Sequence, residues 1–249
     1  MKHQICRTVL AAAAVTASVC LSACGLFRTP ADNVFDDAED AIATDRTASK
    51  IKTAQIEYEF GDGKTSTVRF QAPESVRIDV LDGGNSAVFC TNGDSGWMYL
   101  RGEVFDMTKD DIKEMHGALL QTIPFHVDFQ EIFMDAELLD EPEDVCGEEC
   151  KVVKAVARED KAIKAKFWIG KDTDLLRQFE LTGEEGGVYT MQYFDYATFD
   201  DDVTLPSEMF RFTPDGATKL SLISYETNIE IPESIFRKPE LVNITEGDK

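Results

Sequence analysis

The chain has 249 residues, 47 of them acidic and 25 basic, and a formal net charge of −22. A surface this acidic repels nucleic acid and anionic headgroups, which excludes binders that rely on basic patches. The length suits one large domain or two small ones, and 43% hydrophobic residues are enough to fill a core.

Residues 1–7 carry Lys2 and Arg7 and no acid, and residues 8–19 are apolar and small. About 18 or more apolar residues are needed to cross a bilayer, so this core reads as a secretory signal rather than an anchor helix. Leu21-Ser22-Ala23-Cys24 follows. An aliphatic residue, two small residues and a cysteine resemble the lipobox of bacterial lipoproteins. The resemblance implies that residues 1–23 are removed, that Cys24 carries diacylglycerol and a further palmitate-type chain, and that residues 24–30 form a tether. Cys20 is the other candidate, but the bulky Val19 precedes it. Two or more acyl chains hold a protein on a membrane stably, so the membrane is the first expected partner. Under the enterobacterial sorting rule Gly25, where Asp would favour the inner membrane, points to the outer membrane, facing the periplasm.

The stretch ADNVFDDAEDAIAT predicts an acidic helix with Val34, Phe35, Ala38 and Ile42 on one face. From residue 53 the period becomes two. Ala54, Ile56, Tyr58 and Phe60 alternate with polar residues, Val68 and Phe70 follow, and Val76, Ile78 and Val80 alternate with Arg77 and Asp79. Gly61-Asp62-Gly63-Lys64 and Asp82-Gly83-Gly84-Asn85 are hairpin turns. Runs at 87–91, 97–101 and 104–107 complete a first meander.

Thr108 then reads as an N-cap with Asp111 three residues on, and Ile112, Met115 and Leu119 recur at helical spacing up to Pro124. DFQEIFMDAELL reads as a second short helix, with Phe129, Ile132, Phe133 and Ala136 on one side, followed by an acidic loop over residues 140–149. Strands resume at 151–158, 162–170, 175–182 and 188–198. Neither half looks self-sufficient, so one continuous curved sheet with helices against its hollow is the economical expectation. LPSEMFRF and IPESIFRK echo one another late in the chain and read as similar sheet-edge segments.

Cys146-Gly-Glu-Glu-Cys150 predicts a disulfide across a tight loop in an oxidising compartment. With no His nearby and no second cysteine pair it makes a poor zinc site. Cys90, in a strand-like run, reads as a buried apolar thiol.

These landmarks resemble the LolA/LolB-like superfamily of envelope lipoprotein and lipid carriers. The matching stretches are the opening helix, RFQAPESVRIDV, FCTNGDSGWMYL, FWIGKDTDLLRQFEL and the closing run YTMQYFDYATFDDDVTLPSEMFRFTPDGA. They span residues 31–217 and leave 218–249 as a C-terminal extension. The family's carriers have an Arg before the Pro of the second motif, where this chain has Ala72 before Pro73. The resemblance implies an α+β fold: an antiparallel, incompletely closed β-barrel, or half-barrel, with helices lidding an apolar concave face. It implies a non-enzymatic protein of the cell envelope that shelters acyl chains of lipoproteins or lipids, with no cofactor and no metal. The lining would be Ile56, Tyr58, Phe60, Val76, Ile78 and Val80, with Ile112, Met115 and Leu119 from the lid. The alternative is an envelope interaction or scaffold protein that uses the fold without a ligand.

Catalytic readings are weak. Gly93-Asp94-Ser95-Gly96 matches the surroundings of a trypsin-like serine, but the one earlier histidine is His3, in the signal. His116 and His126 share no helix, and Asp200-Asp201-Asp202 lacks the Gly and distal Glu of a calcium loop.

Overall fold

The computed structural model describes residues 28–109, 111–112, 125, 128–183, 186–214 and 216–239. Most of them belong to one antiparallel sheet of 14 strands. The first meander is β1 (Thr53–Phe60), β2 (Thr65–Gln71), β3 (Ser75–Asp82), β4 (Asn85–Asn92), β5 (Ser95–Leu100) and β6 (Glu103–Asp106). The second is β7 (Phe133–Leu138), β8 (Glu143–Val145), β9 (Glu148–Ala157), β10 (Lys164–Gly170), β11 (Leu176–Thr182), β12 (Val188–Thr198), β13 (Thr204–Thr213) and β14 (Gly216–Thr227). The strand order is β6-β5-β4-β3-β2-β1-β14-β13-β12-β11-β10-β9-β7, with β8 paired beside β7 on β9. The path ends at β6 and β7 and is not closed, so the expected half-barrel is borne out.

The two meanders become one sheet because β14 pairs with β1, from Ala54 opposite Thr227 to Phe60 opposite Leu220. A register shift between Glu57 and Tyr58 leaves Ile223 as the extra, outward residue. Residues 218–227, expected to lie in an extension, are therefore strand, and the expected boundary after residue 217 falls inside β14. The resemblance stopped short because its last motif ends in the β13–β14 hairpin.

Three helices are described: α1 (Pro30–Ile42), α2 (Asp45–Ala48) and α3 (Phe129–Ile132). Thr29 caps α1 reciprocally with Asp32: the Asp32 amide donates to Thr29 Oγ1 at 3.1 Å and the Thr29 amide to Asp32 Oδ2 at 2.8 Å. Pro30 at the first helical position needs no amide partner. The predicted apolar face is the buried one, Ala31, Val34, Phe35, Ala38 and Ile42. Thr108 and Asp111 form the same reciprocal cap. The helix it was expected to open lies, beyond Ile112, outside the described residues, and with it Met115 and Leu119.

Four local expectations differ from the structure. DFQEIFMDAELL is helical over Phe129–Ile132 and then turns into β7, because Phe133 and Leu138 pair with Ala157 and Val153 of β9 and sheet pairing overrides the helical spacing. The acidic loop contains a hairpin, in which Cys146 (φ 56°) and Gly147 (φ 84°) make the two-residue turn between β8 and β9. The expected disulfide is not formed: Cys146 sits exposed on that turn, and Cys150 is a free thiol buried with Val145, Val152 and Trp168. LPSEMFRF is β13, an interior strand, and IPESIFRK contains a 3-10 turn, Glu233–Phe236, packed on the outer side of β3 and β4. Its backbone is what that face holds: Phe236 O accepts from Trp97 Nε1 at 3.1 Å and Cys90 Sγ at 3.3 Å. Arg77 donates to Ile235 O at 2.8 Å.

Two predictions follow from this architecture. A chain ending at residue 217 lacks β14 and leaves β1 and β13 as unpaired edges. It should lose the cooperative thermal transition and associate, as seen by circular dichroism and size-exclusion chromatography. Gly96→Ala should cost about 1–3 kcal/mol by chemical unfolding, because a Cβ there would meet Met107 Sδ at 2.9 Å and the Cys90 carbonyl at 3.0 Å.

Candidate functional site

The concave side of the sheet is apolar over most of its breadth. Ile56 and Tyr58 of β1 and Val76 of β3 are buried at 1%, 2% and 2% exposure, in one cluster with Val68, Phe70, Phe167, Phe179, Met191 and Met209. Phe60 and Ile78 are half-buried against the same cluster, and Val80 is half-buried one step further along β3. Register brings these strands together: Ile56 lies opposite Val68, and Ile78 lies between Val68 and Phe89. Ile112 is buried, with its Cγ1 3.3 Å from where a Gly96 side chain would start. The structure thus gathers six of the nine expected lining residues on one inner surface and places Ile112 against β5; Met115 and Leu119 lie outside the described residues.

Aromatic rings fasten the covering segments to this surface. Phe35 of α1 stacks on Phe129 of α3 with centroids 4.9 Å apart, and both meet Phe167 of β10 edge-on at 5.2 and 5.4 Å. Phe125 sits edge-on between Phe70 of β2, at 6.5 Å, and Tyr225 of β14, at 6.0 Å. Ring pairs of this kind add about 0.5–1.5 kcal/mol beyond their burial. Polar bonds reinforce the α1–α3 contact. Glu39 accepts from the Phe129 amide at 2.7 Å, and Gln130 donates to Asp36 at 2.6 Å. Burial raises the Glu39 carboxyl to about 7, with Asp128, Asp36 and Asp45 pushing the same way and the amide bond opposing.

Besides Tyr58, Ser66 and Thr91, two further polar side chains lie on this inner surface, and sequence reading named neither. Tyr193 of β12 is 5% exposed, yet its hydroxyl is buried without a hydrogen-bond partner. Burial lifts it well above the ordinary phenol range, so it stays protonated at neutral pH. Arg211 of β13 lies opposite Met191, its guanidinium carbon 5.9 Å from the Phe60 ring centroid and its Nε buried without a partner. The alternation Met209-Phe210-Arg211 was the available signal: with Met209 inside, Arg211 is inside too.

The outer side of the sheet carries a second recess. A groove of about 560 Å³ lies between Gln55, Thr67, Arg69, Arg77, Asp79 and Leu81 and the tail residues Ile229, Glu230, Ile231, Pro232 and Ile235. Asp79 bridges Arg69 and Arg77 on its floor at 2.7 Å each.

Other candidate chemistry is absorbed by the fold. Ser95 Oγ donates to Asn92 O within the β4–β5 turn. Asp201 ties down the end of β14, accepting from Tyr225 at 2.9 Å and Thr227 at 2.8 Å. Cys90 is fully buried, and burial pushes its thiol up to about 12. Among the described residues no group of three or more His, Cys, Asp or Glu is placed to hold a metal ion. His116 and His126 lie outside those residues, as does Cys24.

The chain matches no protein-family model and no curated protein. Solved structures share its fold. A LolA superfamily protein from Nitrosomonas europaea is 13% identical, with a TM-score of 0.58 over 85% of this chain and 99% of that one. A DUF1329 family protein from Desulfovibrio piger is 12% identical, with a TM-score of 0.57 over 84% of this chain and 98% of the other. A domain from Vibrio parahaemolyticus, described as that of an outer membrane lipoprotein-sorting protein, is 12% identical, with a TM-score of 0.52 over 81% and 97%. The chain has the LolA-like fold that its sequence motifs resemble.

Glu39 gives this site a pH dependence. Its folded pKa lies above the usual carboxylate value, so its stabilising contribution is complete below about 4.5 and is lost as pH rises through about 7. Glu39→Gln keeps an acceptor for the Phe129 amide and cannot ionise. Thermal unfolding should show the variant more stable than the parent at pH 8, by about 1 kcal/mol after allowing for partial solvation, and equal to it at pH 4.5.

Proposed function

We propose that this is a lipid-anchored protein of the cell envelope that binds, and can hand on, the acyl chains of a lipoprotein or lipid in the hollow of the half-barrel, without catalysing a reaction. The observation that supports it most directly is the apolar concave surface of an unclosed sheet, covered by segments fastened through a few aromatic rings. Ile56, Tyr58 and Val76 form its floor. Phe60, Ile78 and Val80, half-buried, are the side chains an acyl chain would meet first. Met115 and Leu119 belong to the lid in this reading. Burying a long acyl chain supplies around 10 kcal/mol gross at about 0.8 kcal/mol per methylene. Opening the cover and ordering the chain offset much of that, which keeps the ligand exchangeable.

In this reading Cys24 is the acylated first residue and the protein works at the outer membrane, facing the periplasm. Cys24→Ser should lose the acyl mass and the membrane association. A variant that still sediments with membranes after its signal is removed would show the anchor to be elsewhere. For the hollow itself, the protein should take up a fluorescent fatty acid and release lipid on extraction. Ile78→Asp, which puts a charge on the inner surface, should weaken uptake at least tenfold; uptake equal to the parent, or no uptake by either, sinks the lipid-binding reading.

The groove under the tail favours a second reading, an envelope interaction protein that docks a partner on its outer face. Ile231→Glu alters that groove and leaves the hollow intact. Partner loss from solubilised envelope with fatty-acid uptake unchanged would favour this reading.

A further inference from the structure

Arg211 and Tyr193 stand apart from everything around them. The register pairs Tyr193 with Met209 and Met191 with Arg211, so the two polar residues are diagonal neighbours on the inner face. Diagonal neighbours in antiparallel strands are roughly 7–8 Å apart, which two long side chains can close around one small group. Both buried atoms are donors: an arginine N–H and, at neutral pH, a phenol O–H. Leaving buried donors unpaired is costly, and native proteins do it rarely. The residues that pair with this patch are Met191, Met209, Thr218 and Leu220, and Phe179 lies beside it; none carries a negative charge. The acids of β13 and β14 face away, with Glu208 paired to Lys219 on the outer side.

Two donors at diagonal inner-face positions, one permanently cationic, with no carboxylate among the described residues paired with them and with the Tyr58 and Tyr189 phenols near Tyr193, describe a site for an anion joined to something apolar. Arg211 lies two residues before the end of β13, at the end of the hollow where Phe60 and the half-buried Tyr189 and Leu181 lie. A chain seated along Met191, Met209 and Phe179 would bring its head to this end.

We propose that Arg211 and Tyr193 bind the anionic head of an acyl lipid, a carboxylate or a phosphate, while its chain lies along the concave face. The assignment rests on the lipid-binding reading and narrows it, since neutral and anionic lipids would fill the hollow alike but only the anionic ones would satisfy both donors. Tyr193 donates the shorter-reach bond, and Arg211 supplies charge and geometry.

The test measures dissociation constants of the delipidated full chain for two matched pairs: oleate with methyl oleate, and dioleoylphosphatidate with dioleoylglycerol. At least one anion should bind about tenfold or more tightly than its neutral partner, as expected for hydrogen bonds to a charged group. Which pair shows the preference tells a free carboxylate from a phospholipid phosphate. Arg211→Gln should erase that preference and leave the neutral ligand within about twofold. Arg211→Lys, which keeps the charge but loses the planar fork, and Tyr193→Phe should each lose part of it, and their neutral-ligand affinities report whether the hollow is intact. Equal affinity for anion and neutral partner in the parent, or equal weakening of both by Arg211→Gln, overturns the assignment while lipid binding stands. Failure of all four ligands to bind overturns the lipid-binding reading and the assignment with it.

Discussion

The pairing of β1 with β14 is the constraint on which the rest of the structure depends. It joins residues some 160–173 positions apart, from Phe60 with Leu220 to Ala54 with Thr227. Closing so long a loop costs only modestly more entropy than closing a short one, because the cost grows logarithmically with length. The gain is a continuous surface. Without the seam, each meander would expose one apolar face with nothing to curve around. With it, Ile56 and Tyr58 lie beside Tyr225 and Leu222 at the middle of a single hollow. The segment past β14 secures the join. Asn228 accepts from the Lys52 amide at 2.9 Å, and Ile229 O accepts from Thr53 Oγ1 at 2.6 Å. The tail then crosses to the outer face, where its carbonyls satisfy Trp97, Cys90 and Arg77.

The hollow is covered differently from the way it is floored. Its floor is a hydrogen-bonded sheet; its cover is held by separate anchors, Phe35 and Phe129 over Phe167, and Phe125 between Phe70 and Tyr225. A cover fastened at points can let go at one point without unfolding the sheet. Glu39 bears on this directly, because its carboxyl bridges α1 to the Phe129 amide while burial and three nearby acids resist its ionisation. Strong tertiary packing on one side and a titrating contact on the other is how local opening stays decoupled from global stability.

Much of this was legible in the sequence because period-two alternation reports one-sided burial. Ala54-Ile56-Tyr58 and Val76-Ile78 announced the inner face residue by residue, and the two turns at 61–64 and 82–85 set the first meander. Thr108 with Asp111 marked a helix start through its reciprocal cap, and the structure shows the same cap, unread, at Thr29 with Asp32. What stayed hidden depended on long-range partners. Phe133 and Ala136 fit a helical stripe as well as a strand, and only β9, some 20 residues further on, decided between them. Residues 218–227 match no family motif, yet they fill the seam, since a strand with neighbours on both sides needs pairing more than a signature. Cys90 on the outer face of β4 read as buried, but what covers it was not legible, because the tail that does so lies more than 130 residues away. Arg211 went unread because a charged residue in an alternating strand is ordinarily assigned to the wet side.

If Arg211 and Tyr193 hold an anionic head as proposed, an acidic protein has to do so against its own field. A chain with a net charge of −22 repels anions at long range, but that field is screened over about 8–10 Å at physiological salt. Inside the hollow the effective dielectric is lower, and the nearest charge counts for more than the distant total. Arg211 is that nearest charge, over the Phe60 ring and with no ion pair to a carboxylate among the described residues. An acidic exterior would slow the approach of an anionic lipid and hasten its departure once the head left Arg211. On the proposed reading, retention would rest on two donors and an apolar wall, and release on the field outside. Such a division suits a protein that must both hold its ligand and give it up, which a uniformly apolar hollow, tighter with every added methylene, would make harder to arrange.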